Sequence, residues 1–327
     1  MVDANKLRRH YKKKVSGFCS WEQLSHAEEY TLYPENIGAK VSIDEVSLSD
    51  GELYTVVTNK EGFGKNGTLI ATIKGTKSSV IAEVIEKIDI AQRNCVKEVT
   101  LDMAKNMESA VKQCFPSAQL VTDRFHVVRL VMEALQHLRV KYRWEELEKE
   151  NEAIKRSKEL GVRYIPKILE NGDSPKQLLA RSRYILAKKK ANWTENQTQR
   201  AELLFKNFPL LETAYNHALC FRNMYEEKTR KDAQIKINEW IVKTPELNIK
   251  EFTTVTYTIS QNMEQILNFF DNRSTNANAE SFNAKLKLFR ANQRGVKDRA
   301  FFLFRMSSPE IAIHNFYRYG KIRKSRL

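Results

Sequence analysis

No run of 18 apolar residues occurs in this chain of 327 residues, so no helix is expected to cross a membrane. The N-terminal run MVDANKLRRHYKKKVSGF is basic but has no apolar core behind it, which sets it apart from a secretory signal. The four cysteines, Cys19, Cys95, Cys114 and Cys220, include no CxxC pair. A zinc ribbon is therefore not expected, and reduced thiols in a cytoplasmic protein are the default. There is no GxSxG elbow and no cysteine–histidine pair in a context for nucleophilic catalysis. GFGKNG is Gly-rich but lacks the Ser or Thr and the helix that follow in a phosphate-binding P-loop, and reads as a hairpin turn. Internal repeats and low-complexity tracts are absent.

Positive charge is what the chain has in excess. The formal net charge is +15, and residues 281–327 hold 12 Lys and Arg against two acids, a net of +10. Most of the surplus thus lies at one end. Clustered cations release counterions from phosphates, so nucleic acid is the expected kind of partner, ahead of a merely soluble basic surface. An anionic membrane is disfavoured, because no basic amphipathic helix ends in aromatic anchors. The 42% hydrophobic content suffices for a buried core in one large or two ordinary domains.

Residues 1–38 read as a basic arm and a short helix near SWEQLSHAEEY. KVSIDEVSL, ELYTVVTN and GTLIATIKG then read as an antiparallel meander, with turns marked by Gly and Asp. SSVIAEVIEKIDIAQR reads as a helix, VKEVTLD as a strand, MAKNMESAVKQCF as a helix and AQLVTD as a strand, before a long helix from about Phe125. This β-β-β-α-β-α-β-α order predicts an α/β core over residues 39–145 of the ribonuclease H-like kind, with a mixed five-stranded sheet. Residues 146–270 read as a large all-helical insertion, with Pro just inside one helix start and a Thr194/Gln197 capping box at another. TVTYTIS looks strand-like locally, but TISQNMEQILNFFDN is read as the last helix of this block. Residues 271–327 would complete the core with a helix carrying Glu280 and a basic tail.

Acids at predicted strand ends mark the candidate site. Alternation along VSIDEVSL puts Val41, Ile43 and Glu45 on one face and Ser42, Asp44 and Val46 on the other. A carboxylate in such an apolar run is costly unless it meets a cation or hydrogen-bond donors. Asp102 ends the fourth strand, expected beside the first. Two carboxylates that close resist joint ionisation, and a divalent ion relieves the conflict. Hard oxygen donors without His or Cys favour Mg²⁺ or Mn²⁺. Helical spacing groups Asn276, Glu280, Asn283, Lys287 and Arg290 in one polar stripe, and Phe282, Leu286 and Phe289 in a buried one. Asp123 and His126, three residues apart, stand where a strand runs into a helix; taken singly, a helix cap and a hydrogen-bonded structural histidine account for them better than catalysis does.

SIDEVSLSDGELYTVV, TLDMAKNMESAVKQCFPSAQLVTDRFHVVRLVMEAL, QLLARSRYILAKKKANWTENQTQRAELLFKNFPLLETAYNHALCFRNMYE and STNANAESFNAKLKLFRANQRGVKD together resemble the ISL-three family of bacterial insertion-sequence DDE transposases, including its split, two-reading-frame relatives. The resemblance implies a ribonuclease H-like core that cuts DNA at element ends and joins the freed 3′-hydroxyl to a target. It matches Asp44 and Glu280 to the first and last acids of the family. For the second acid, alignment favours Asp123 and fold logic favours Asp102, with Asp123 and His126 then supporting. Asp44, Asp102 and Glu280 are expected to hold Mg²⁺ or Mn²⁺. Lys285, Lys287, Arg290, Arg294, Arg8, Arg9, Lys12 and Lys13 are expected to grip the backbone of double-stranded DNA. Full-length relatives carry a Cys-rich zinc module and a helix-turn-helix ahead of the core, and this sequence shows neither. The resemblance therefore suggests a separate DNA-recognition polypeptide. It also implies a homodimer or higher oligomer on DNA, and a cytoplasmic, nucleoid-associated location. Rival expectations are a ribonuclease H-like nuclease or resolvase without strand transfer, and a non-catalytic DNA-binding remnant.

Overall fold

Runs rich in Val, Ile and Thr form strands here because branched side chains pack well on a pleated, half-buried surface. The structure, a computed structural model, describes residues 3–49, 51–62, 67–273, 277–292, 296 and 298–307. It divides into two units, residues 1–123 with 272–327, and residues 124–271. The first contains α1 (Ala4–His10), β1 (Tyr30–Leu32), β2 (Lys40–Ser49), β3 (Glu52–Asn59), β4 (Leu69–Lys74), α2 (Ser78–Ile85), α3 (Ile90–Asn94), β5 (Glu98–Leu101), α4 (Lys105–Cys114) and β6 (Gln119–Thr122). The second contains α5 (Arg124–Glu159), α6 (Pro175–Arg181), α7 (Arg183–Leu186), α8 (Glu195–Asn207), α9 (Pro209–Met224), α10 (Arg230–Glu246), α11 (Lys250–Gln261), α12 (Met263–Leu267) and most of α13 (Phe269–Asn272). The chain then returns to the first unit with α14 (Ala277–Asn292) and α15 (Arg299–Ser307). Among the described residues no helix is long and apolar enough to cross a membrane.

The described strands form one mixed sheet in the order β1-β4-β3-β2-β5-β6. β2, β3 and β4 are an antiparallel meander, and β5 and β6 run parallel to β2. The sheet has six strands, not the expected five. Tyr30–Leu32 adds an edge by pairing antiparallel with β4, with Tyr30 opposite Ile73. A strand of three residues is too short to show an alternation. The expected helix at SWEQLSHAEEY is a series of turns. Its polar side chains serve the new edge instead. Gln23 bonds both the N–H (2.6 Å) and the carbonyl (2.7 Å) of Leu32, and His26 Nδ1 lies 3.0 Å from the carbonyl of Tyr30. The helix expected over SSVIAEVIEKIDIAQR is broken into α2 and α3, because Asp89 caps α3 by accepting from the Ala91 N–H at 2.8 Å. Most of the GFGKNG turn lies outside the described residues.

Alternation along β2 divides two cores. Val41 and Ile43 enter a cluster with Ile81 and Ile85 of α2 and Met107 and Val111 of α4. Val46 points the other way, to Tyr54, Val56, Leu286 and Phe289 of α14, and Phe302 of α15. The helix carrying the predicted polar stripe is thus seated on the sheet by its apolar one. α1 and the basic turn after it are anchored to the same unit. Lys12 pairs with Asp298 and its ammonium lies 4.7 Å from the Phe18 ring centroid and 5.5 Å from that of Phe301.

In the second unit, α5 runs unbroken through residue 146. The Thr194/Gln197 capping box is present, with Gln197 Oε1 accepting from the Thr194 N–H at 3.2 Å. TVTYTIS is helical, within α11, where the Thr256 and Thr258 hydroxyls donate to carbonyls one turn back, but the single helix expected over TISQNMEQILNFFDN is divided among α11, α12 and α13. Trp240, Phe221 and Phe252 pack around His217, whose ring stacks on Trp240 at 4.6 Å. His217 Nε2 meets Thr244 Oγ1 at 2.9 Å, while that hydroxyl donates to the Trp240 carbonyl. The imidazole is therefore buried neutral, and burial followed by the Lys243 charge lowers its pKa from 6.5 to about 4. Unfolded protein takes up this proton first, so the histidine's contribution is whole above 6.5 and is lost as the pH falls towards 4. Acidification across that window is expected to cost roughly 2–3 kcal/mol. Urea unfolding of wild type and His217→Gln at several pH values checks this; parallel pH slopes would rule it out.

Candidate active site

β2, β5 and β6 are parallel neighbours, so their C-terminal ends open along one edge of the sheet. Their register pairs Ser42 with Thr100, and Thr100 with Val121. Two residues further on, each strand reaches an aspartate: Asp44, Asp102 and Asp123. Adjacent strands lie about 4.8 Å apart, so three acids that are far apart along the chain stand at the ends of neighbouring strands. Acids at all three strand ends were expected; the register adds that Asp44, Asp102 and Asp123 each follow a paired position by two residues.

The three carboxylates have different surroundings. Asp44 is half-buried; its Oδ1 accepts from the Glu45 N–H at 2.8 Å, and its Oδ2 accepts from the Asn283 amide of α14. Asp102 is half-buried, with Oδ1 accepting from the Ala104 N–H at 2.8 Å. Asp123 is 4% exposed, and its backbone N–H donates to the Leu101 carbonyl at 2.8 Å. Glu45, the next residue of β2, is half-buried, and its pKa is raised chiefly by burial and then by the charges of Asp102 and Asp44.

Asn283 links the edge to α14. It is 6% exposed, and its Oδ1 is buried with no hydrogen-bond partner among the described residues. Glu280 lies one turn before it on the same helix, the spacing at which side chains share a face. The side chain of Glu280 lies outside what is described, as does all of Asn276. Among the described residues no three His, Cys, Asp or Glu side chains are grouped to hold a metal ion.

A buried cation lies against β5. Lys60, just after β3, is 6% exposed; its Nζ donates to Glu98 Oε1 at 3.0 Å and to Thr100 Oγ1 at 2.7 Å. Glu98 Oε2 accepts from Asn272 Nδ2 at 3.4 Å. Burial lowers the Lys60 pKa, while the charges of Glu98 and, more weakly, Asp123 oppose that. Sequence reasoning missed Lys60 because a lysine at a turn looks like an ordinary solvated charge.

The remaining expected residues fall in several places. His126 is in the first turn of α5, in the second unit, half-buried with its ring 5.5 Å from that of Phe125. On α14, Lys285 is half-buried and Lys287 exposed, while Arg290 Nη1 donates to the Ser47 carbonyl at 3.1 Å. That bond ties α14 to β2. Arg294 lies outside the described residues. Arg8, Arg9 and Lys13 are exposed, whereas Lys12 is occupied by Asp298 and two aromatic rings.

Two comparisons bear on the whole chain. A family model for DDE transposases of the ISL-three kind, described simply as a transposase, matches residues 41–306. No curated protein matches the chain.

Proposed function

This chain belongs to the ISL-three family of DDE transposases, and we propose that it cuts and joins DNA strands by metal-dependent phosphoryl transfer at the edge bearing Asp44, Asp102 and Asp123. The single observation that carries the reading is the shared register of those aspartates at the ends of three adjacent parallel strands. The order β4-β3-β2-β5-β6, with only the last two parallel to β2, supports a ribonuclease H-like core to which β1 adds an edge. On this reading the helical residues between β6 and α14 are an insertion into that core.

The donor set fits a hard divalent ion. All the donors are oxygens, acids collect at the strand ends, and the buried Asn283 Oδ1 beside Asp44 has no partner among the described residues. Asp44, Asp102 and Glu280 would hold Mg²⁺ or Mn²⁺. Such ions supply charge neutralisation at the phosphate and a lowered pKa for the attacking hydroxyl or water. Asn283 orients Asp44 by holding one oxygen, and the Ala104 N–H does the same for Asp102. Lys60 holds Glu98 and Thr100, and so fixes the strand that presents Asp102. Lys285 and Lys287 would meet the DNA backbone, which positions it without reading sequence.

Asp102 is preferred over Asp123 as the second ligand because it is half-exposed, while Asp123 is almost fully buried. Incubation with Mg²⁺ and DNA carrying the element's ends is expected to yield cut ends and joined products. In that assay Asp102→Asn should lose at least about a hundredfold in rate, and Asp123→Asn about tenfold or less. The reverse order would make Asp123 the ligand. Cutting without any joining would point to a nuclease or resolvase.

A further inference from the structure

Three arginines of the helical unit, Arg139, Arg143 and Arg183, lie near enough for the charges of the last two to act on the first, and among the described residues none pairs with a carboxylate. Arg139 of α5 is 6% exposed; its Nε donates to Gln136 Oε1 at 2.7 Å and its Nη1 to the Leu179 carbonyl at 2.9 Å. Gln136 Nε2 in turn donates to the Arg183 carbonyl at 3.2 Å. One glutamine thus ties the Arg139 guanidinium to the start of α7. Arg143 follows Arg139 by four residues on α5 and shares its face. Both Arg143 and Arg183 are exposed, and the Arg183 guanidinium lies 5.7 Å from the centroid of the Tyr184 ring, itself 71% exposed.

Nearby cations are neutralised. Lys141 pairs with Glu251 at 3.5 Å, and Arg181 pairs with Asp173. Among the described residues none of Arg139, Arg143 and Arg183 forms an ion pair. Burial, and then the charges of Arg143 and Arg183, lower the Arg139 pKa. Capping the last turn of α6 accounts for Arg139 alone. It does not account for Arg143 and Arg183, exposed guanidinium groups that form no ion pair among the described residues. Guanidinium forks match phosphate oxygens in geometry and in charge.

We propose that Arg139, Arg143 and Arg183 form a phosphate-binding site for the DNA backbone on the helical unit, with Arg139 as its fixed base and Arg143 and Arg183 as the groups that touch DNA. This rests on the reading of the chain as an enzyme acting on DNA. The test uses the full chain, a fluorescent DNA duplex, and Kd measured over a range of salt. Arg143→Gln/Arg183→Gln changes only exposed side chains, and Lys155→Gln/Lys158→Gln removes two exposed, unpaired charges elsewhere on α5. The arginine variant is expected to bind roughly tenfold more weakly, with the salt slope reduced by about 1 to 2. The lysine control should change Kd by less than about twofold. Equal losses in both variants would mean net charge alone, and would overturn the site. So would wild-type affinity in the arginine variant. If wild type still cuts element ends, that failure concerns this site alone; if wild type neither binds nor cuts, the function reading falls as well. Unchanged duplex binding with weakened binding of a polyglutamate peptide would also overturn it, pointing to an acidic protein partner.

Discussion

Asp44→Asn is expected to abolish strand cleavage and joining, with a loss of at least about a thousandfold. Several kcal/mol of charge stabilisation at the phosphate depend on the ligand, and about 1.4 kcal/mol corresponds to tenfold in rate. Asparagine keeps the size and can still accept the Glu45 N–H through its amide oxygen, so the fold should survive. The melting temperature and duplex affinity should stay close to wild type. The site occupies the middle of the sheet, where β2 pairs on both sides, so little slack exists for another acid to replace it. A variant with cleavage within about tenfold of wild type would remove Asp44 from the chemistry. It would also undercut the shared strand register as the reason for placing the reaction here.

Glu98→Ala is expected to give the largest loss of stability, roughly 3–5 kcal/mol, because it strands a buried ammonium. The two side chains are 7% and 3% exposed, so water cannot replace the lost partner. Lys60 would keep only Thr100 of its two named acceptors. Removing both charges together, as Lys60→Met/Glu98→Leu, should restore much of the loss, since a buried pair often contributes little over an apolar pair of similar volume. Denaturant unfolding of the two variants separates these outcomes. If the double variant is no more stable than Glu98→Ala, the loss does not come from the unpaired charge. Its position also matters for function: Thr100 lies two residues before Asp102, so loss of the pair loosens the strand that presents the acid. The restored double variant should therefore fold yet cut DNA more slowly than wild type.

Much of this was legible in the chain itself. Alternation in VSIDEVSL separated Val41 and Ile43 from Asp44 and Val46, and β2 has those faces because a period of two follows from backbone geometry. The apolar stripe Phe282, Leu286, Phe289 similarly seated α14 against the sheet. Local signals failed where distant residues decided. β1 exists because β4 offers an edge, and Gln23 and His26 hold it there; no propensity over three residues could outweigh that. The break between α2 and α3 depends on a cap at Asp89 that competes with continued helix. Composition and local pattern determined that the protein is an α/β chain with a basic end and acids at strand ends. Tertiary structure alone decided that those acids share one strand register, that Lys60 lies buried against β5, and that Arg139, Arg143 and Arg183 form no ion pair among the described residues. Register between strands and the proximity of helices arise from packing across long stretches of chain, and periodicity within one segment carries no record of it.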